Sequence, residues 1–266
     1  MNVLKKIYVY FETKQNRLHK KLKIFILGRR PFNTIFSFNY HNIHHIVCFK
    51  KKFIHEYLTS KKYTFLDVGA GYSPYYELFE PYSNEYIVVD LEVSLPKNEK
   101  RNISQKIGFA ESLPIQDNSI DIVISNQVLE HVNNDLESVK ESYRVLKPNG
   151  FFIGSVPHIS PIHLEPYDYR RYTELGLRKI LEDSDFKIVK IEGNGGVHRA
   201  FAVTVMMDWY LSEFKLDENQ YFREKLHFRL FLLNGFINSM AILMDFLIKS
   251  RKRSPSNYSW IAIKNS

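Results

Sequence analysis

One stretch constrains this chain more than any other: Phe65-Leu66-Asp67-Val68-Gly69-Ala70-Gly71-Tyr72-Ser73-Pro74. An apolar run ends in an acid, then in two glycines one residue apart, then in Ser-Pro. The order reads as a buried strand over 63–68, a tight turn and the start of a helix. Ser73 is placed to cap that helix, and Pro74 to fill its first position, where a missing N–H costs nothing. The glycines reach backbone dihedrals closed to other residues and let a ligand approach closely. A helix N-terminus behind them favours a negative group. A third glycine, which in dinucleotide turns serves close helix–strand packing, is replaced by Pro74. Asp67 reads two ways, as a cap on the turn or as the partner of a ligand's ammonium group.

Apolar runs and turn signals then alternate along the chain. Strands are expected near 85–91, 103–109, 120–125, 151–156 and 186–191, with helices near 73–79, from about 135, and over 173–182. Such alternation predicts a mostly parallel sheet with helices on both faces. Two helices, over 200–211 and 221–249, then precede a last strand at 258–264. The second is apolar but interrupted by Arg229, Asn234, Asn238 and Asp245, which argues against a bilayer span. The fold class is therefore α/β, a Rossmann-like seven-stranded, mostly parallel sheet. To it are added an N-terminal helical extension (1–62) and a helical insertion (about 197–255) before the last strand of the 63–266 domain.

Charge is unevenly spread. The whole chain carries +8. Residues 1–62 hold 14 Lys/Arg against Glu12 and Glu56, a net +12, whereas 63–266 hold 23 against 27 acids, a net −4. Residues 3–27 read as a basic amphipathic helix, with Ile7, Phe11, Leu18, Leu22 and Phe25 at helical spacing. That suits an anionic membrane surface, and equally a solvated helix face. The start, Met1-Asn2-Val3-Leu4-Lys5-Lys6, does not read as a secretory signal. The single cysteine, Cys48, excludes an internal disulfide and fits a reducing compartment. The expected location is the cytoplasm, with peripheral attachment to the inner face of the membrane as the alternative. His41, His44 and His45 have metal-like spacing, but no acid lies within ten residues to complete a site, so no metal is expected.

Later segments extend a family resemblance. Asp90 ends the second strand 19 residues after Gly71, where a carboxylate can accept both ribose hydroxyls. Gly108-Phe109-Ala110-Glu111-Ser112-Leu113-Pro114 follows the third strand. Asn126-Gln127-Val128-Leu129-Glu130-His131-Val132 follows the fourth, and Leu146-Lys147-Pro148-Asn149-Gly150 is a turn before the fifth. Together with Asp67-x-Gly69-x-Gly71-x-x-Pro74, these resemble the class I S-adenosylmethionine-dependent methyltransferases, in particular the methyltransferase type 11 group. Phe109 stands where members often have an acid.

The resemblance implies S-adenosylmethionine as cofactor. It implies cofactor contacts from Asp67, Gly69, Ala70, Gly71, Asp90, Leu91, Ala110, Glu111, Asn126 and Gln127. It also implies an in-line methyl transfer to a small-molecule, glycan or lipid-linked acceptor. Where the acceptor needs a base, His158 and His163 are candidates, since the loop after the fifth strand lies at the ligand edge of such sheets. Tyr167, Tyr169, Arg170 and Arg171 are candidate acceptor contacts, although both arginines could simply pair with Glu165 or Asp168. Two other readings stay open, an NAD(P)-dependent oxidoreductase and a non-catalytic cofactor-binding scaffold. Nucleic acid is not expected as a partner, and the oligomeric state is not legible.

Overall fold

The computed structural model describes residues 32–92, 102–213, 228–248 and 253–266, with Phe25 and Gly28–Arg29. The expected amphipathic helix at 3–27 lies outside these residues, Phe25 apart. In chain order the elements are α1 (Tyr40–Tyr57), β1 (Tyr63–Val68), α2 (Tyr76–Phe79, continued by one 3-10 turn), β2 (Ser83–Asp90), β3 (Ser104–Ile107), β4 (Ile120–Asn126), α3 (Asp135–Val145), β5 (Leu146–Pro157), α4 (Glu174–Glu182), β6 (Phe186–Asn194), α5 (Val197–Glu213), α6 (Phe228–Leu247) and β7 (Asn257–Lys264). The strands lie in the order β3-β2-β1-β4-β5-β7-β6. Neighbours from β3 through to β5 pair in parallel. Only β7 runs antiparallel, between β5 and β6. The expected seven-stranded, mostly parallel sheet is the one observed.

Period-two alternation assigns the side chains to two layers. Leu66, Val68, Val89 and Val123 face α3 and α4, where Val139, Val145, Leu177 and Leu181 meet them. Phe65, Tyr86, Val88, Ile122, Ile124 and Ile153 face α1 and α2, against Ile46, Val47, Phe49, Phe53, Tyr76 and Phe79. Asp67 shares the register of Phe65, so it points into the α1 layer. Gly154 sits where a Cβ would come within 2.1 Å of the Ser125 carbonyl oxygen and 2.3 Å of the Trp260 ring, so only glycine lets β4, β5 and Trp260 pack together.

Two local expectations are corrected. The sequence reads as a short helix from Lys50 to Ser60 leading into the domain, whereas the structure has one long helix, α1, from Tyr40 to Tyr57. Its buried stripe includes His41 and Lys50 beside Ile46, Val47, Phe49 and Phe53, and those polar members hide the apolar period. Ser73 is not a helix cap. It lies at φ +46°, its hydroxyl donates to Asp67 Oδ2 at 3.2 Å, and the helix starts only at Tyr76. With a single α-helical turn there, the glycine loop acts through its backbone shape and not through a long helix dipole.

The polar residues interrupting α6 hold the fold together. Asn234 Nδ2 donates to the Phe36 carbonyl at 3.1 Å, and Asn238 Nδ2 to those of Ile35 and Ser37 at 2.7 and 3.0 Å. The segment leading into α1 is thereby tied to the insertion. Asp245 accepts from the Gly196 and His198 N–H groups and pairs with Arg199, capping α5. Among the described residues no helix is long and apolar enough to cross a membrane.

Candidate functional site

A cleft of about 490 Å³ opens at the carboxyl ends of β1, β2 and β4, lined by Gly69, Val89, Asp90, Leu91, Gly108, Phe109, Ala110, Glu111, Gln127, Val128, His131 and Tyr167 among others. In a doubly wound sheet this edge, where the strand order reverses between β1 and β4, is where ligands bind. One wall is mostly backbone. Gly69 lies at φ +60°, and a Cβ there would come within 2.7 Å of Val128. Gly71 lies at φ +52° with open space where a Cβ would project. Asp90 ends β2 with its carboxylate held by two backbone donors, Gly71 N–H on Oδ2 and Leu91 N–H on Oδ1, each at 2.7 Å. Each carboxylate oxygen keeps a further lone pair. Leu91 and Phe109, both more than half exposed, flank Asp90 with apolar surface.

This wall suits a nucleoside. A ribose can give two hydroxyl hydrogens to Asp90 while a flat base rests among Leu91, Phe109, Ala110 and Val128. Glu111 is engaged elsewhere: its Oε1 accepts from the Asn133 and Asn134 N–H groups at 2.9 and 3.4 Å, stitching the loop after β3 to the one after β4. Gln127 lines the cleft at φ +55°. Ala70 is half-buried in the glycine turn and closes it by accepting from Ser73 N–H.

Beneath the glycine turn lies a buried polar network that no motif announced. Asp67 Oδ2 accepts from the Tyr86 hydroxyl at 2.8 Å and from Ser73. Lys50, 1% exposed, donates to Asn126 Oδ1 at 2.5 Å and sits 4.7 Å from the centre of the Tyr75 ring. Burial pushes the Lys50 amine down to about 7, with Asp67 opposing, and pushes Asp67 up to about 6 against Tyr86, Lys50 and Ser73. A signal was present in the sequence: Lys50 falls on the apolar stripe of its own helix.

The opposite wall is built from side chains on two segments. The loop after β5 is pinned to the loop after β4 by Tyr169 N–H on the Glu130 carbonyl at 2.9 Å and the Tyr172 hydroxyl on the Leu129 carbonyl at 3.0 Å. Arg170 donates to the carbonyls of Val132 and Asn133 at 2.5 and 2.6 Å. Arg171 holds Asp168 in a two-pronged pair at 2.6 Å on each oxygen. Of the four candidate acceptor contacts, Tyr167 lines the cleft, Tyr169 is exposed beside Arg170, and both arginines brace the loop. His158 Nδ1 lies 2.8 Å from the Tyr172 carbonyl, and His163 Nδ1 3.0 Å from that of Pro161. A carbonyl only accepts, so each Nδ1 carries the proton and each Nε2 keeps a lone pair. Neither ring is among the cleft-lining residues, whereas His131 is. His41, His44 and His45 diverge: His41 is buried, His44 stacks on Tyr40, and His45 meets Arg199.

Comparison with known proteins agrees with this geometry. A family model described as a methyltransferase domain matches residues 66–154. The methyltransferase YcgJ of Bacillus subtilis is 36% identical over 104 residues, covering 36% of this chain and 41% of that protein. The malonyl-[acyl-carrier protein] O-methyltransferase of a Marinomonas species is 30% identical over 109 residues, covering 36% and 40%. The chain thus matches about two fifths of the length of these relatives. The phosphoethanolamine N-methyltransferase 2 of Haemonchus contortus, solved with S-adenosyl-L-methionine, shares the fold at a TM-score of 0.56 and 14% identity, over 91% of this chain and 56% of that one. Residues 66–154 therefore match a methyltransferase domain, the same stretch whose motifs resemble the class I S-adenosylmethionine-dependent methyltransferases.

Proposed function

We propose that this protein transfers a methyl group from S-adenosylmethionine to a small-molecule, glycan or lipid-linked acceptor by in-line displacement. The observation that carries the reading is the Asp90 carboxylate, aimed by Gly71 and Leu91 into a cleft whose other walls are glycine backbone and apolar side chains. The cofactor supplies a methyl group on a sulfonium, already a good leaving group. The protein's own task is then orientation and exclusion of water. Asp90 accepts the ribose hydroxyls, and Leu91, Phe109, Ala110 and Val128 sandwich the base. The Gly69-Ala70-Gly71 backbone and the Asn126–Gln127 turn hold the amino-acid end. Asp67 is committed to Tyr86 and Ser73, so its role is to shape the turn, with Lys50 and Asn126 fixed beneath it. His158 and His163, both with Nε2 as the free acceptor, are the candidate bases where the acceptor must lose a proton.

Supporting an acceptor at a lipid surface are Leu232, Phe236, Met240, Leu243, Phe246 and Leu247, an exposed apolar face along α6, and the basic segment at 3–27. The activity test is release of S-adenosylhomocysteine across a panel of hydroxyl, amine and lipid-linked acceptors. Turnover by the wild type, and strongly reduced turnover by Asp90→Ala at the same cofactor concentration, is expected. Cofactor binding without turnover on any acceptor favours the scaffold reading. For the surface, the full chain should co-sediment with anionic vesicles. Equal sedimentation of a chain lacking residues 1–30 refutes that part.

A further inference from the structure

The cleft's side-chain wall contains a group that methyl transfer does not account for. Glu130 is 0% exposed, and neither carboxylate oxygen has a hydrogen-bond partner from another residue. A buried carboxylate left bare costs several kcal/mol, which a bound cation or a proton offsets. Its surroundings are not those of a neutral core. His131 Nε2 lies 3.7 Å from Glu130 Oε1, and the His131 and His163 rings meet edge to face at 5.1 Å. One ligand atom from each of Glu130, His131 and His163 lies within 4.8 Å of the others.

Both imidazoles are held as metal-binding imidazoles are held. His131 Nδ1 lies 2.7 Å from the Tyr167 carbonyl, as His163 Nδ1 does, at 3.0 Å, from that of Pro161. The proton is therefore on Nδ1 and the lone pair on Nε2 in each ring. Asp168 stands behind both, 3.9 Å from His131 Nδ1 and 3.4 Å from His163 Nδ1, and is itself clamped by Arg171. That is the outer carboxylate such sites use to orient ligating rings.

We propose that Glu130, His131 and His163 bind a divalent first-row transition ion, with Asp168 and Arg171 as positioning residues. Two imidazoles and one carboxylate select Zn²⁺, Co²⁺ or Fe²⁺ over Mg²⁺ and Ca²⁺, which take oxygen ligands. At bond lengths near 2.1 Å, tetrahedral donors stand about 3.4 Å apart. The Glu130–His131 pair is close to that spacing already, and the His163 ligand atom lies within 4.8 Å of both. Three protein ligands leave a coordination position open, and His131 itself lines the cleft. Metal binding at His163 takes that residue out of the list of bases and leaves His158. The inference is independent of the methyl donor, because it is read on the protein alone.

The test is titration of the chelator-treated full chain with Co²⁺, followed by visible ligand-field absorption, with Zn²⁺ and then Mg²⁺ as competitors. One Co²⁺ per chain is expected, displaced by Zn²⁺ and not by Mg²⁺. Glu130→Gln and His163→Ala should each weaken binding at least tenfold, with His44→Ala unchanged. Circular dichroism checks each variant, and the half-buried His163 keeps the test valid if Glu130→Gln does not fold. No ligand-field band in the wild type, or equal binding by folded His163→Ala, overturns the proposal.

Discussion

The two walls of the cleft are made by different means. The wall of Gly69, Gly71, Asp90 and Gly108 is mostly main chain, and the Asp90 carboxylate in it is oriented by two N–H groups within a few residues of strand ends. The facing wall joins residues 129–135 to residues 158–172 through side-chain bonds that span 36 and 38 residues, such as His131 with Tyr167 and Arg170 with Val132. A main-chain wall is complete once the sheet forms. A side-chain wall depends on each loop holding the other, and its chemistry can diverge without disturbing the fold. The first therefore fits the invariant donor and the second the variable acceptor.

The largest effect is expected from Asp90→Ala. Two charge-assisted hydroxyl bonds are worth about 3 kcal/mol together, so the Kd for S-adenosylhomocysteine should rise roughly 100-fold in a calorimetric titration. An unchanged Kd would break the assignment of the main-chain wall. Next, Gly69→Ala meets both a positive φ and Val128, whereas Gly71→Ala meets only the φ. By chemical denaturation Gly69→Ala should cost about 2–3 kcal/mol and Gly71→Ala about 1 kcal/mol. Equal losses would show that backbone strain alone sets the cost.

Lys50→Met sharpens the contrast from below the turn. The Lys50 amine is lowered by burial to about 7, so between pH 7 and its unfolded value of about 10.5 the unfolded chain binds more protons than the folded one. Wild-type stability should gain on that of Lys50→Met as pH rises through this window, by up to about 1.4 kcal/mol per pH unit. Below pH 7 the contribution of Lys50 levels off. Loss of the cation also raises Asp67 further, which adds to the same trend. Parallel denaturation curves from pH 7 to 10 would contradict a buried, titrating Lys50. A comparably small effect is expected from Arg171→Gln. It removes the clamp on Asp168 and should cost about 1–2 kcal/mol, with little change in cofactor Kd if the walls are independent.

What was legible in the sequence followed the same division. Most strands of the sheet announce themselves by a short apolar run with turn signals, the mostly exposed β3 (Ser104–Ile107) being the exception, and Asp67-x-Gly69-x-Gly71 and Asp90 are readable because their geometry is local. The turn itself was misread at Ser73, since Pro74 after a serine imitates a helix start while the chain spends three more residues reaching Tyr76. The start of α1 was missed because His41 and Lys50 interrupt its apolar stripe. Glu130 and His131 were visible as neighbours. Their convergence with His163 was not, because spacing along the chain carries no trace of which loops lie side by side. Arg171 was left as either an acceptor contact or a partner of Asp168, and its geometry is that of the partner.

The central claim is that the main-chain wall holds S-adenosylmethionine. The most direct test is a calorimetric titration of the full wild-type chain, and of Asp90→Ala, with S-adenosylmethionine and with NADH. The expected result is one equivalent of S-adenosylmethionine bound by the wild type, at least a tenfold weaker isotherm for the variant, and no heat of binding with NADH. Binding of NADH in place of S-adenosylmethionine, or equal S-adenosylmethionine binding by Asp90→Ala, would contradict it.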